Sequence, residues 1–342
     1  MKFDLKQLRY IDLKEVKVLF ENPYLFGNEF LELIWHPTGF LGEFFRYSSM
    51  LCHFLGGINF FIVVVPILYL CYDRIFGIKI AVAILSTSLF NGLAKFYFES
   101  VRPYNLSKEI LDTRSNFISE TSYGFPSGHS HVSILVWGII FLHFKNIYIR
   151  LLSVFLILFT PFSRLYTGVH FPGDVIGGFI MGFLSLLAIE FLFFKFPKFI
   201  QFDNLQENQK RIFRTISLLI IIFTLPFTLL VSNSAAPSIG SLEQIITAAG
   251  SIAGFFIGYL FLDFFYPDSR DFSETKSSLD FLKRITLIII GILIFYLGLG
   301  AIGKKFPIEE NLFRYFRYLL LNFYLIALAP ILYRKWVLKI SQ

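Results

Sequence analysis

Two cationic side chains lie two helical turns apart at the end of an apolar stretch. Lys95 and Arg102 are separated by seven residues, so both lie on one face if the chain between them is helical. Pro103 follows and would stop that helix. Alone, the pair is typical of basic residues that reach a membrane surface. Beside other anion-binding groups it would hold phosphate, with lysine as a point charge and arginine through its planar fork.

A second polar segment has the sequence Phe-Pro-Ser-Gly-His-Ser at 125–130 and precedes another apolar stretch. Proline and serine favour a helix start, and Gly128 lets a backbone amide approach a ligand closely. Free amides at a helix N-terminus form a site for an anion. Read in isolation, the segment is equally typical of a turn with a solvated His129.

A third segment contains Ser163, Arg164, His170 and Asp174. An aspartate four residues after a histidine can reach its imidazole and fix which nitrogen carries the proton. A lone His–Asp pair is more often structural. The segment therefore indicates a functional site only if the fold brings it close to the other two polar segments. Ser163 is expected to cap or pack locally.

The composition shows what kind of chain must position these segments. Of its 342 residues, 55% are hydrophobic, 19% aromatic and 16% charged, and the mean hydropathy is +0.64. Soluble domains carry about 25% charged residues, so an ordinary cytosolic enzyme is excluded. The net charge of +7 fits loops that face anionic lipids better than nucleic acid, because no basic run interleaves with a soluble motif. Cys52 and Cys71 have no metal or redox spacing.

The hydropathy pattern predicts an all-α, polytopic transmembrane bundle with nine spans, a count that could be wrong by one. The spans are 57–73, 77–98, 130–145, 148–166, 174–194, 213–232, 244–266, 284–303 and 314–334. We predict an N-terminal amphipathic, interfacial segment (1–56), a five-span catalytic core (57–194) and a four-span C-terminal region (195–342) that begins with a polar linker at 195–212.

The distribution of basic residues predicts the orientation. With the 99–129 loop outside, the inside loops carry 16 lysines and arginines and the outside loops after the first span carry 6. Five basic residues before the first span contradict this, because nine spans place them outside: Lys2, Lys6, Arg9, Lys14 and Lys17. A further re-entrant or spanning helix near 28–50 would move them inside, and the sequence leaves both arrangements open.

These spans bring the three segments to one membrane face, because the second and fourth helices end there and the third and fifth begin there. The side chains gathered are Lys95, Arg102, His129, Arg164, His170 and Asp174. Three permanent cations, helix-start amides, two imidazoles and a carboxylate suit a tetrahedral oxyanion. The sequence alone therefore predicts a phosphoryl-binding site.

The pattern Lys-x6-Arg-Pro, Pro-Ser-Gly-His, Ser-Arg-x5-His-x3-Asp resembles the three-part signature of the type-2 phosphatidic acid phosphatase superfamily, over about residues 57–194. The resemblance implies that His170 is the nucleophile, that Asp174 orients it and that His129 is the general acid and base. The implied phosphate-binding groups are Lys95, Arg102, Ser127, Gly128 and Arg164. No cofactor or metal is implied, since no second carboxylate accompanies the histidines and cations already neutralise the phosphate.

The resemblance implies a membrane lipid phosphate as substrate: phosphatidic acid, phosphatidylglycerophosphate, undecaprenyl pyrophosphate, a lipid A phosphate or a sphingoid phosphate. We expect the inner (cell) membrane of a bacterium, with the site on the extracytoplasmic side. One alternative is a phosphatase for a soluble phosphate ester, as for glucose-6-phosphatase, although that enzyme's third motif lacks the Asp kept here as Asp174. A second is haloperoxidase chemistry at the same anion site. A third is a non-enzymatic lipid-phosphate binder or transporter.

Small residues recur at helical spacing in two spans. Gly250, Gly254 and Gly258 repeat every four residues, as do Gly178 and Gly182, which predicts close helix packing and leaves a homodimer open. Asp263 is expected to pair with Arg270 or Lys283 near the inside face.

Overall fold

A computed structural model describes residues 22–34, 36–110, 118, 120–196, 207–232, 238–267, 277–305 and 309–338. Every regular element among them is a helix, so the predicted all-α fold is confirmed.

Ten long helices dominate the described part of the chain. They are α1 (Gly39–Leu55), α2 (Ile58–Tyr72), α3 (Arg74–Phe98), α4 (Gly128–His143), α5 (Ile147–Tyr166), α6 (Pro172–Lys195), α7 (Glu207–Ser232), α8 (Ile239–Phe265), α9 (Ser278–Gly303) and α10 (Glu310–Trp336). The last turns of α9 and α10 continue to Lys305 and Leu338. Short helices cover Pro23–Phe26, Glu29–Leu33, Pro103–Leu106 and Lys108–Ile110.

Polar side chains fix where several of these helices begin. The Asp73 carboxylate accepts the Phe76 amide at 2.5 Å at the start of α3, and the Ser238 hydroxyl accepts the Ser241 amide at 3.4 Å at the start of α8. Pro172 takes the first position of α6, where its missing N–H costs nothing. Local sequence therefore sets the ends of the helices that carry the site.

Seven helices are long and apolar enough to cross a bilayer: α3, α5, α6, α7, α8, α9 and α10. α1 and α2 pass the same criterion only together, and they are bent by 57° at Gly56 and Gly57. α4 is apolar but shorter. The predicted count of nine is therefore not confirmed; the described residues give seven, or eight if the bent pair is one span.

α1 covers the end of the segment predicted to lie in the interface, and it packs against α5 of the predicted core. The five basic residues that complicated the orientation, and residues 197–206 of the predicted linker, lie outside the described residues. The three-part division of the chain stays a prediction.

α8 is the central helix of the C-terminal half. Fifteen of its 27 residues are buried, and it packs on α7, α10 and α3. Its contact with α3 is close, because a Cβ on Gly92 would lie 2.8 Å from Ile245 Cγ1. The C-terminal helices thus pack directly on the segment that ends at Lys95.

The repeated glycines serve packing within the chain, as predicted. A Cβ on Gly250 or Gly254 would lie 2.3 or 2.2 Å from a carbonyl oxygen of α10, and one on Gly178 or Gly182 would lie 2.4 or 2.8 Å from a carbonyl oxygen of the α4 segment. Both glycine faces pack on helices of the same chain. A homodimer through small-residue helix faces stays a prediction.

Asp263 has a partner that the sequence did not predict. Its carboxylate pairs with Arg214 of α7 at 2.7 Å. Arg270 lies outside the described residues, and the expected pairing with Arg270 or Lys283 stays a prediction. The pair joins the beginning of α7 to the end of α8. The two residues are 49 positions apart in the sequence, so a search for partners among sequence neighbours does not find this contact.

We expect Gly254→Ala to destabilise the protein by about 1–3 kcal/mol, because the added methyl overlaps the Leu319 carbonyl oxygen. Thermal unfolding in detergent should show a midpoint several degrees below wild type. Gly298→Ala is the control, since its Cβ would meet nothing closer than 3.1 Å. An unchanged midpoint for Gly254→Ala would contradict the packing described.

Candidate active site

The ends of four helices meet at one end of the bundle, as the sequence predicted. α3 and α5 end there, α4 and α6 begin there, and five of the predicted side chains are at most 2% exposed: Lys95, Arg102, Arg164, His170 and Asp174. Among them are three cationic side chains and one carboxylate. Burying so much charge requires that each group has polar partners.

His170 is held between a cation and a carboxylate. Its Nδ1 lies 3.2 Å from Asp174 Oδ2, and its Nε2 lies 3.2 Å from Arg102 Nη1. Because a guanidinium only donates, Nε2 must accept, which assigns the proton to Nδ1 and leaves an unprotonated lone pair on Nε2. An unprotonated imidazole nitrogen is the form that can act as a nucleophile, and here it lies beside a guanidinium.

Burial lowers the pKa of His170 well below its ordinary value, and the positive charges of Arg102, Lys95 and Arg164 lower it further. His170 is therefore neutral at pH 7, which agrees with the proton assignment from its partners.

Asp174 is fixed by the start of its own helix. Its Oδ2 also accepts the Phe171 amide at 2.9 Å, so the carboxylate caps α6 while it orients His170. Gly124 passes beside this oxygen, and a Cβ there would lie 3.0 Å from Asp174 Oδ2 and 2.8 Å from the Val101 carbonyl oxygen. A side chain at 124 would force this loop away from the site.

Backbone carbonyls of the loop before α4 hold the first two cations. Arg102 donates from Nε to the Ser122 oxygen at 2.6 Å, from Nη2 to the Tyr123 oxygen at 3.2 Å and from Nη1 to the Val169 oxygen at 2.9 Å. Lys95 donates to the carbonyl oxygens of Tyr123 and Gly124. The predicted pair therefore meets through a shared loop.

The described hydrogen bonds of Ser127 are made within the protein, and its predicted role in phosphate binding stays a prediction. Its hydroxyl accepts the Ser130 amide and hydroxyl, and its amide donates to the Asp174 carbonyl oxygen at 2.9 Å. Ser127 thus joins α4 to α6 behind the site and its amide is already used. The amides of Gly128 and His129 belong to the first turn of α4, which leaves them without an intrahelical acceptor.

His129 contacts a residue outside the three segments. Its ring stacks on His53 of α1 with centroids 4.8 Å apart, and its Nε2 lies 3.1 Å from the His53 carbonyl oxygen. The proton on Nε2 therefore points to that carbonyl, and Nδ1 faces the site. Gly56 makes room for this ring, because a Cβ there would lie 2.4 Å from His129 Cδ2.

Arg164 is also held by α1. Its Nη2 donates to the Ser49 carbonyl oxygen at 3.1 Å, and its Nη1 lies 3.1 Å from His53 Nδ1. Ser163 accepts from Arg164 Nε at 3.2 Å and donates to the Thr160 oxygen at 2.7 Å, so its predicted local role is confirmed.

Two site residues escaped the sequence analysis, His53 and Glu120. Glu120 Oε2 lies 3.3 Å from Arg102 Nη2, and its Oε1 lies 3.7 Å from Nδ1 of both His129 and His53. Burial by itself would raise the pKa of Glu120, but the charges of Arg102, the two histidines and Lys95 hold it at about 2. Neither residue belongs to a recognisable motif, so no sequence signal marks them.

Glu120 also overturns the premise that no second carboxylate accompanies the histidines. Possible ligand atoms of His53, Glu120 and His129 lie within 4.8 Å of one another, a spacing that could hold a metal ion. Arg102 contacts Glu120 and Arg164 contacts His53, so a dication here would face two adjacent permanent positive charges. The donor set fits a cation, whereas its surroundings fit an anion better.

A cavity of about 430 Å³ opens onto these groups. Its walls near the site include five of the charged or imidazole side chains described above: Lys95, Arg102, Glu120, His129 and His170. Arg164, Ser127 and Asp174 are not among the residues that line it, and Asp174 lies behind His170, which it contacts.

Comparisons with known proteins match both halves of the chain. Residues 76–198 match the PAP2 superfamily model, and residues 246–341 match the model of the PAP2 superfamily phosphatase transmembrane extension. No solved structure gives a significant match.

Three curated relatives share part of the sequence. A probable sphingosine-1-phosphate phosphatase of Dictyostelium discoideum is 32% identical over 44% of this chain and 38% of its own length. Phosphatidylglycerophosphatase B of Bacillus subtilis is 33% identical over 30% of this chain and 50% of its own length. An undecaprenyl-diphosphatase of Sulfolobus acidocaldarius is 25% identical over 34% of this chain and 55% of its own length. The chain spans about half the length of these relatives or less.

The two family models follow one another along the chain and together cover most of the helical bundle described above. The first contains all three sequence segments, and the second contains α9, α10 and most of α8. This integral membrane protein therefore belongs to the PAP2 superfamily.

Proposed function

We propose that this protein is a phosphatase that hydrolyses a phosphate monoester or pyrophosphate of a membrane lipid through a phosphohistidine intermediate. The observation that carries the proposal is the state of His170, with Nδ1–H donated to Asp174 and an unprotonated Nε2 beside Arg102. The names of the relatives, all of them phosphatases of lipid phosphates or diphosphates, support the same activity.

In the first step, the Nε2 lone pair of His170 attacks phosphorus while the bond from phosphorus to the leaving oxygen breaks. Asp174 stabilises the positive charge that develops on the imidazole. Lys95, Arg102, Arg164 and the Gly128 amide stabilise the phosphoryl oxygens, and Arg102 is the group already in contact with the nucleophile. Ser127 contributes by positioning the start of α4.

His129 supplies and removes the proton. Its Nδ1 faces the site; burial and the charge of Arg164 disfavour a proton there, whereas Glu120, 3.7 Å away, favours it. In the first step this proton passes to the leaving oxygen. In the second step Nδ1 accepts a proton from water, whose oxygen attacks phosphorus as the bond to His170 Nε2 breaks. Inorganic phosphate then leaves and both histidines return to their starting states.

The site is proposed to face the extracytoplasmic side. The bias of basic residues toward the opposite loops supports this orientation, and a site at the end of a membrane bundle suits a lipid whose phosphate lies at the bilayer surface. A cell membrane is the proposed location.

We expect His170→Ala and His129→Ala each to lower phosphate release at least about a thousandfold, because they remove the nucleophile and the proton donor. Inorganic phosphate released from a lipid phosphate by purified protein in detergent is the measurement. His143→Ala is the matched control, since that ring stacks on Phe76 away from the site. Near-wild-type rates in His170→Ala would refute the phosphohistidine.

Activity should persist in EDTA and should be inhibited by vanadate, because cationic side chains rather than a metal neutralise the phosphoryl group. The decisive comparison is turnover before and after chelation, followed by addition of Zn²⁺ or Mg²⁺. Loss on chelation with recovery on adding either ion would instead assign a metal to His53, Glu120 and His129.

Glu120→Gln should slow the hydrolysis of an alkyl phosphate by about a hundredfold, since it removes the charge that stabilises a proton on His129. The hydrolysis of p-nitrophenyl phosphate, whose leaving group needs no proton, should slow much less. Glu190→Gln serves as control, because that carboxylate pairs with Lys79 at 2.7 Å, remote from the site in the fold. Equal losses on both substrates would indicate a purely structural role for Glu120.

A further inference from the structure

The loop that binds Lys95 and Arg102 has a second face. Within this cation-binding loop (residues 120–124), the carbonyl oxygens of Ser122 and Tyr123 accept from the cations. Lysine and arginine side chains only donate hydrogen bonds, so the amides of the same loop need acceptors elsewhere. An element that binds those amides would also fix the carbonyl oxygens that face the cations.

One peptide group connects Arg102 to α8. In the planar, trans unit between Ser122 and Tyr123, the carbonyl oxygen and the amide N–H point in opposite directions. The oxygen accepts from Arg102 Nε at 2.6 Å, and the amide donates to the Ser241 hydroxyl at 3.2 Å. A movement of Ser241 would therefore move the acceptor of Arg102.

Ser238, directly before α8, holds the preceding peptide group. Its hydroxyl donates to the Thr121 carbonyl oxygen at 2.9 Å and lies 3.2 Å from the Ser241 hydroxyl. A Cβ on Gly240 would lie 2.7 Å from the Ser122 amide nitrogen, so the two backbones are in close contact. Both serines are buried. Because packing this close transmits displacement, the helix and the loop must move together.

Gln244 connects α8 to the start of α4 through a second side chain. Its Nε2 donates to Asn91 Oδ1 at 3.3 Å and to the Ser88 carbonyl oxygen at 3.1 Å. The other end of the same amide, Asn91 Nδ2, donates to the Pro126 carbonyl oxygen at 3.2 Å. A Cβ on Gly128 would lie 3.1 Å from Asn91 Oδ1. The Asn91 amide that Gln244 orients therefore supports the segment whose Gly128 amide is proposed to bind phosphate.

We propose that Ser238, Ser241 and Gln244 are positioning residues of the active site. The two serines hold the cation-binding loop, and Gln244 holds the start of α4 through Asn91, so that the cations and the helix-start amides fit one phosphoryl group. The three residues act through the groups that they contact. This inference rests on the proposed phosphatase function and adds to it the part of the chain that sets the geometry of the site.

The three residues lie in neither of the matched regions. The match to the PAP2 superfamily ends at residue 198, and the match to the transmembrane extension begins at residue 246. α8 continues from this stretch into the extension, where Gly250 and Gly254 pack closely on α10. The extension would therefore act as the rigid support of the cation-binding loop.

Two variants remove these contacts without adding volume. Ser241→Ala removes the acceptor of the Tyr123 amide, and Gln244→Leu, of similar size, removes the donor to Asn91. Ser217→Ala is the matched control, because this buried serine lies near the beginning of α7, which pairs with the end of α8 remote from the site.

Vanadate is the probe, because an oxyanion of this shape needs the cations and amides in the arrangement that a phosphoryl group needs. Its Kd is measured by isothermal titration calorimetry on the full chain in detergent, and kcat/KM is measured with hexadecyl phosphate. We expect the Kd to rise and kcat/KM to fall by about tenfold in Ser241→Ala and Gln244→Leu, since small displacements of binding groups cost this much or more. Ser217→Ala should match the wild type in both.

A purely structural role gives a different result. Partial unfolding would leave fewer active molecules, each with wild-type affinity, so the number of vanadate sites and kcat would fall while Kd and KM stayed constant. That pattern would overturn the inference. Wild-type Kd values in both variants, or an equal rise of Kd in Ser217→Ala, would overturn it as well.

Calorimetry separates failure of this inference from failure of the function. Phosphate release with an unchanged vanadate Kd in the variants would overturn the positioning role alone. Weakened vanadate binding in the variants of a protein that releases no phosphate would overturn the phosphatase and support the positioning of an anion site. A wild-type protein that neither binds vanadate nor releases phosphate would overturn both.

Discussion

Positive charge that is taken out of water has to be balanced by oxygen atoms close by, and this requirement organises the whole end of the bundle. Lys95, Arg102 and Arg164 are nearly inaccessible, and each donates to main-chain carbonyl oxygens. Those oxygens belong to the loop before α4, to the loop before α6 and to α1. Three separate stretches of chain are therefore held by the cations that are proposed to bind phosphate.

Glu120 completes the balance as the one carboxylate that approaches Arg102 and both stacked histidines in the described structure. In the proposed reaction, an entering phosphoryl group competes with this carboxylate for Arg102. Glu120 also opposes the effect of burial and of Arg164, which disfavour a proton on His129. We propose that a residue that compensates charge in the free protein assists proton transfer once substrate displaces its ion pair.

The sequence predicted the parts of the site that depend on local geometry. The four-residue spacing of His170 and Asp174 follows from a helix start and survives folding. Lys95 and Arg102 also converge, but the expected two helical turns between them are wrong: α3 ends at Phe98, Glu99 is left-handed and Arg102 is extended, so the loop that binds both cations brings them together. The all-α fold and the convergence of four helix ends followed from alternating spans. These features need only the period of a helix and the thickness of a bilayer.

Other features depend on tertiary contacts that no spacing reveals. His53 reaches the site because α1 packs on α5, and Glu120 reaches it from a loop without a motif. Ser127 was assigned to phosphate by its position in the motif, yet Asp174 uses its amide. The count of nine spans was not confirmed because α4 is short and α1 and α2 bend, which depends on how neighbouring helices support them.

The bend at Gly56 has a consequence for how separable the catalytic unit is. The matched PAP2 region begins at residue 76, whereas Ser49, His53 and Gly56 hold or adjoin Arg164 and His129. A chimera that exchanged only the motif-bearing helices would import Arg164 and His129 without the surface of α1 that they contact. The transferable unit of this enzyme family member is therefore larger than its signature, and it starts at the helix that precedes that turn.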